Sequence, residues 1–108
     1  MTSTRVIGPF TVPALGLGCM PLSGMPPSKQ WILNERDKAI GVVHAALDAG
    51  IRLLDTADIY APTWNSVGHN ETLVAEAVRS WSGTAAQKEE IVIATKGGIT
   101  RAPLEGDW

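Results

Sequence analysis

The 108-residue sequence predicts a parallel α/β protein. Three observations carry that expectation. Strand-like and helix-like segments alternate along the chain, as β-α-β units do. The segment "IVIATK" at 91–96 is almost wholly apolar and β-branched, as a strand covered on both faces should be. The polar residues of chemical interest, Asp55 and Lys96, fall at the carboxyl ends of two such strands, which is where a (β/α)8 barrel places its chemistry.

The elements follow in order. "RVIGPFTV" near the N-terminus reads as a small hairpin, with Gly8 and Pro9 marking the turn between apolar pairs. "ALGLGCM" at 14–20 is the first strand of the repeating unit. Residues 34–49 form a helix: Asn34 is placed as N-cap, Glu35 and Asp37 sit in the first turn where the helix dipole favours acids, and Gly50 stands at the C-terminal cap. Ile40, Val43 and Leu47 fall at helical spacing, widened by Ala39 and Ala46. "IRLLDTA" at 51–57 is the second strand. Residues 70–82 form the second helix, with Leu73, Val74, Ala77, Val78 and Trp81 on one face, Glu71 fixing its start and Gly83 as its stop. The third strand, 91–96, completes hairpin plus β-α-β-α-β, with Gly18, Asp55 and Lys96 about forty residues apart.

A doubly wound sheet would carry G-x-G-x-x-G after its first strand, but "GLGCMPLSG" puts Pro21 where the third glycine belongs. The barrel is therefore the preferred architecture. A complete one takes roughly 250 residues and eight strands, so this chain is expected to be a partial barrel with three of them and an unpaired strand edge open to self-association.

Composition narrows the function. Hydrophobic residues make up 44% and charged ones 19%, a globular mixture. A net charge of -2 offers no basic surface for nucleic acid. The single cysteine, Cys19, precludes an intrachain disulfide and suggests a reducing, cytoplasmic compartment. Pro9, Pro13 and the glycines at 8, 16 and 18 interrupt any signal-peptide core, and no apolar run reaches the ~20 residues a membrane helix needs, so no membrane partner is expected. No metal site is expected either.

Strand parity puts Leu53 with Asp55, and Ala94 with Lys96, on shared faces. Neighbouring strands lie about 4.8 Å apart, which brings an Asp55–Lys96 ion pair within reach. Tyr60, on the loop leaving the second strand, can lean over the same rim. A phenol has a reference pKa near 10 and is a poor proton donor at neutral pH. A neighbouring ammonium stabilises phenolate, and a carboxylate keeps that ammonium charged and oriented. Each residue alone has a plainer reading: Asp55 as an acid satisfying turn amides, Lys96 as a lysine reaching water, Tyr60 as a half-buried loop aromatic.

Taken together, "ALGLGCM", "DTADIY", "GHNE" and "IATKGG" resemble the aldo-keto reductase family in order and spacing across nearly the whole chain. The resemblance implies NADPH-dependent reduction of a small-molecule aldehyde or ketone, or the reverse, on a (β/α)8 barrel. It implies Tyr60 as proton donor, with Asp55 and Lys96 as two further catalytic residues. It implies that Gly16, Leu17, Gly18, Cys19 and Met20 lie beside the nicotinamide and that Asp55 approaches the cofactor ribose. The family's fourth catalytic residue, a histidine ending the fourth strand, has no counterpart before Trp108, so the chain is expected to be an N-terminal fragment of the oxidoreductase domain. The loop "APTWNSV" is longer than is common in the family, and Trp64 in it is a candidate substrate wall. His69 is expected as a polar loop residue, His44 as a helix-surface residue, Asp58 as solvated or locally paired, and Cys19 as a small packing residue. The alternative reading is a non-catalytic interaction module or a partial gene product without independent activity.

Overall fold

A computed structural model describes residues 3–24 and 36–101. Strands β1 (Thr4–Ile7) and β2 (Phe10–Pro13) pair antiparallel, Thr4 opposite Pro13 and Ile7 opposite Phe10. Gly8 takes φ 56°, the left-handed conformation the hairpin turn requires and glycine adopts without steric cost. This is the hairpin the sequence predicts.

Strands β3 (Gly16–Gly18), β4 (Leu53–Asp55) and β5 (Val92–Ala94) form a parallel sheet in the order β3-β4-β5. Gly16, Leu53 and Val92 share one row, and Gly18, Asp55 and Ala94 another. Gly16 matters for packing: a Cβ there would stand 3.2 Å from the Leu53 carbonyl oxygen, so only glycine lets β3 lie this close to β4. Each strand is three residues long, shorter than its predicted span. At β3 the reason is local: Met20–Ser23 curl into a 3-10 turn with Pro21 at its start, and proline suits a first helical position, not a ladder. Pro21 thus stands in a turn, which agrees with the failed glycine fingerprint. Single hydrogen bonds extend the β4–β5 pairing past the strand ends, from Val92 N to Arg52 O at 2.8 Å, Thr56 N to Ala94 O at 2.8 Å and Asp58 N to Lys96 O at 3.1 Å.

Helices α1 (Arg36–Asp48) and α2 (His69–Ser80) cover one face of this sheet. The N-cap and first-turn acid expected at Asn34 and Glu35 lie outside the described residues. At the other end of α1 the predicted cap is present: Gly50 has φ 100°, its N–H donates to Leu47 O, and Ile51 N–H donates to Ala46 O, the paired bonds of a Schellman motif. Leu54 of β4 is fully buried with Val43 and Leu47 of α1 and Leu73, Val74 and Ala77 of α2. Burying each of these leucines contributes about 1.5–3 kcal/mol, so the fold rests on this layer. An ion pair from Arg36 to Glu76 and a 2.8 Å contact between His44 Nε2 and Ala77 O join the two helices. His44 is therefore a half-buried bridge between helices rather than the surface residue expected.

Helix α2 ends at Ser80, two residues short of the predicted last residue, 82. Trp81 leaves the helix in an extended conformation, φ -66° and ψ 141°. Its ring is buried, its indole N–H donates to Asp48 Oδ1 at 2.9 Å, and the Arg52 guanidinium lies 5.2 Å from the ring centroid. Continuing the helix would forfeit those contacts. A further short helix, α3 (Ala85–Glu89), was not predicted. Thr84 and Gln87 form a reciprocal capping box at its start, a signature legible as "TAAQ".

Gly83 follows Trp81 because the indole occupies the space of its missing side chain: a Cβ there would fall 2.2 Å from a Trp81 ring carbon. Gly83→Ala is expected to lower stability by on the order of 1–3 kcal/mol, the cost of displacing a packed ring. Urea unfolding monitored by circular dichroism measures it, and a variant as stable as the parent would contradict this packing.

Candidate active site

The face of β4 opposite the helices carries Leu53 and Asp55, and Asp55 meets a lysine arriving from the end of β5. Lys96 Nζ donates to Asp55 Oδ1 at 3.0 Å, to Oδ2 at 3.1 Å and to the Thr56 carbonyl at 2.9 Å. It also hydrogen-bonds the Tyr60 side chain and lies 4.9 Å from that ring's centroid. Asp55, Tyr60 and Lys96, proposed together from the sequence, are thus brought together at one rim of the sheet. Desolvation pulls the Lys96 pKa down, but the hydrogen bonds to Asp55 and Tyr60 outweigh it and hold the ammonium above the ordinary lysine value. The side chains of Asp55 and Lys96 are each half exposed, at 50% and 51%, so the pair is open to a third molecule.

The residues predicted beside a nicotinamide divide by face. Gly16 and Gly18 lie on the row shared with Leu53 and Asp55. A Cβ on Gly18 would meet nothing within 4 Å, which leaves a clear floor beside Asp55 onto which a flat ring could settle. Met20 is partly exposed. Leu17 and Cys19 turn their side chains into the helix-side core, so they can approach a ligand only through their backbone. The residues present therefore fit a nicotinamide at the Gly18–Asp55 edge.

Tyr60 is held at both sides. The loop it begins is tied by Gly68 N donating to Asp58 O at 2.8 Å and by Asn70 N donating to Tyr60 O at 3.0 Å. Arg101, buried, donates to Ala61 O and, at 3.1 Å, to Thr63 O. Tyr60, Ile59, Lys96, Gly97 and Ile99 line a hollow of about 70 Å³, well below the ~300–1,000 Å³ of a complete ligand pocket. It is one wall of a site. Trp64 is partly exposed on the loop and does not line this hollow. Asp58 does line it, with Oδ1 buried and accepting no hydrogen bond, so it is less solvated than expected. Glu71 accepts from Thr95 Oγ1 at 2.7 Å, linking α2 to the end of β5 as well as sitting in the helix's first turn.

Sequence reasoning missed a buried polar network behind this rim. Asn70, fully buried, donates from Nδ2 to Cys19 O at 2.8 Å and to Ser23 Oγ at 2.9 Å, and accepts at Oδ1 from Thr56 Oγ1 at 2.6 Å. The Cys19 carbonyl can only accept, which fixes the amide's orientation. Ser23 Oγ also lies 2.7 Å from His69 Nδ1. His69 is the first residue of α2, not the loop residue expected. The legible signal was an asparagine beside a helix start, between His69 and Glu71.

These observations agree with what comparison with known proteins finds. Residues 14–107 match the model described as the Aldo/keto reductase family. Aldo-keto reductase yakc [NADP(+)] of Schizosaccharomyces pombe is 37% identical over 105 residues, 96% of this chain and 26% of the relative. The 6-dehydroglucose reductase of Novosphingobium aromaticivorans is 43% identical over 74 residues, 64% of this chain and 23% of the relative. The uncharacterized oxidoreductase YqkF of Bacillus subtilis is 33% identical over 84 residues, 78% of this chain and 21% of the relative. The chain belongs to the aldo-keto reductase family, and it spans about a quarter of the length of these curated relatives. No helix among the described residues is long and apolar enough to cross a membrane, and no group of metal-ligating residues occurs among them.

Two predictions follow from the environment of the network. Burial, aided by the Asp55 charge, pushes the Cys19 thiol from 9.0 up to about 11. The thiolate fraction at pH 8 then falls roughly a hundredfold, and iodoacetamide should modify the native chain at least that much more slowly than the urea-unfolded chain. Comparable rates would show the thiol exposed. For His69, burial and then the Arg36 charge lower the pKa below 6.5. A folded value below the unfolded one means that the unfolded chain takes up the proton first, so stability present above pH 6.5 is lost as pH falls through the depressed value. The urea midpoint is expected to drop between pH 7.5 and 5, and to drop less in His69→Gln; identical slopes would exclude His69 as the source.

Proposed function

We propose that this chain supplies the proton-donor side of an aldo-keto reductase, an oxidoreductase of small-molecule aldehydes or ketones that uses NADPH. The observation that carries the reading is the Lys96 ammonium shared among Asp55, Thr56 O and Tyr60 at the carboxyl rim of the sheet. An ammonium can only donate, so the Tyr60 oxygen accepts from Lys96, and the phenol O–H is the donor toward a carbonyl oxygen. As the carbonyl carbon gains a hydride, its oxygen gains negative charge and takes the Tyr60 proton; Lys96 stabilises the phenolate that remains, and Asp55 holds Lys96 in place. The reduced nicotinamide, when bound, supplies that hydride; Gly16, Gly18 and the exposed edge of Asp55 would hold it, with backbone at Leu17 and Cys19 and the Met20 side chain beside it. Trp64 is proposed as a substrate wall. The printed name of the fission yeast relative, which includes NADP(+), supports the cofactor assignment. In this reading the three parallel strands are the first three of a (β/α)8 barrel, and the chain works in the cytoplasm.

Consumption of NADPH by the 108-residue chain with a panel of aldehydes, compared with Tyr60→Phe and Lys96→Met, tests the assignment. Loss of the general acid is expected to lower the rate by a hundred- to ten-thousand-fold. Equal background rates in all three would refute activity of the isolated chain.

A second reading is favoured by one observation: among the described residues β3 and β5 each pair on one side only, and Ile93 of β5 is exposed. The chain would then associate with a second copy, or with a complementary piece of barrel, through the open edge. A compact monomer by light scattering would count against it.

A further inference from the structure

Asn70 occupies a position that the catalytic assignment does not use. It is fully buried, and every hydrogen-bonding group of its side chain is engaged with a different segment. Nδ2 holds the turn after β3 through Cys19 O and Ser23 Oγ, Oδ1 holds the end of β4 through Thr56 Oγ1, and its backbone N–H holds Tyr60 O. The turn after β3 is the cofactor side of the rim; the loop at Tyr60 is the proton-donor side.

We propose that Asn70 is a positioning residue that locks the Cys19–Ser23 turn to the Tyr60 loop, so that the two sides of the rim keep one spacing. The proposal rests on the functional reading above for what those two sides do. The chemistry selects asparagine. Aspartate could accept from Thr56 but would set a carboxylate against the Cys19 carbonyl, where a donor is required. Leucine, of similar size, would leave the buried Thr56 hydroxyl without its acceptor. It would also strip one bond each from the Cys19 carbonyl, which keeps only Leu22 N–H, and from the Ser23 hydroxyl, which keeps only His69, so the ties between the segments would be lost. The hydroxyl of Ser23 completes the arrangement: it accepts from Asn70 and so has its own hydrogen to donate to His69 Nδ1.

The chain carries its own reporters on the two sides, since it has one cysteine and one tyrosine. The experiment compares Asn70→Leu with Ala75→Gly, which weakens α2 at an exposed position outside the network. Cys19 alkylation reads the turn, and the Tyr60 ring resonances in proton NMR read the loop. Asn70→Leu is expected to raise the alkylation rate about tenfold above that of Ala75→Gly and to move or broaden the ring resonances, which stay in place in Ala75→Gly. Identical behaviour of the two variants, or unmoved ring resonances in Asn70→Leu, would overturn the proposal. Should Asn70→Leu fail to fold, Thr56→Val decides: its lost hydroxyl bonds Asn70 and not Cys19, so faster Cys19 alkylation transmits through Asn70, and an unchanged rate overturns it. Neither reporter needs cofactor or turnover, so this result stands apart from the Tyr60→Phe comparison, and either can fail alone.

Discussion

A lysine ammonium has three hydrogens in a fixed tetrahedral arrangement, and at the end of β5 all of them are committed: to the Asp55 carboxylate, to the Thr56 carbonyl and to Tyr60. That demand sets the geometry of the rim. It is met only while β4 and β5 keep their register, Asp55 beside Ala94, and while the loop after β4 returns Tyr60 over the same edge. The ion pair does not hold the fold together. Both side chains are half exposed, and exposed pairs contribute about 0–1 kcal/mol, whereas each buried leucine of the helix layer contributes several times that. The core fixes the strands; the ammonium reads out whether they are fixed correctly.

Adjacent residues of β4 divide the labour. Leu54 points into the helices and Asp55 to the open face, so a slip of one residue would bury a carboxylate and expose a leucine. Beyond the strand end the layer under the rim changes from apolar to polar. Thr56, Asn70 and Ser23 lie at 0%, 0% and 1% exposure, and each finds hydrogen-bond partners among the others. Apolar packing tolerates small sliding, but a satisfied buried amide does not. A polar layer at this level therefore suits a rim whose spacing matters.

Much of this was legible in the sequence. Alternation of apolar strands with helices at 3.6-residue spacing indicated the parallel α/β order, and strand parity placed Asp55 and Lys96 on one face because the period of a strand is fixed. The "GHNE" segment was visible as a helix start and as part of the family resemblance, not as a polar tie. What Asn70 does from that position depends on the Cys19–Ser23 turn, roughly fifty residues earlier in the chain, and no local pattern encodes such a pairing. Strand ends were overestimated because Pro21 shapes a turn that hydrophobicity alone does not mark. The early end of α2 has a similar cause: Trp81 fits the apolar periodicity, yet its indole finds better partners in Asp48 and Arg52 outside the helix. Short α3 escaped because its evidence lies in a capping pair, not in a stripe.

The loop from Ala61 to Val67 is fastened at its base, by Asp58 O to Gly68 N and by Tyr60 O to Asn70 N. Those two bonds close the circuit before the loop departs, so its length and lettering are uncoupled from where the phenol stands. Insertions or substitutions in the outer arc can therefore be absorbed where they occur, and the phenol keeps its station beneath them.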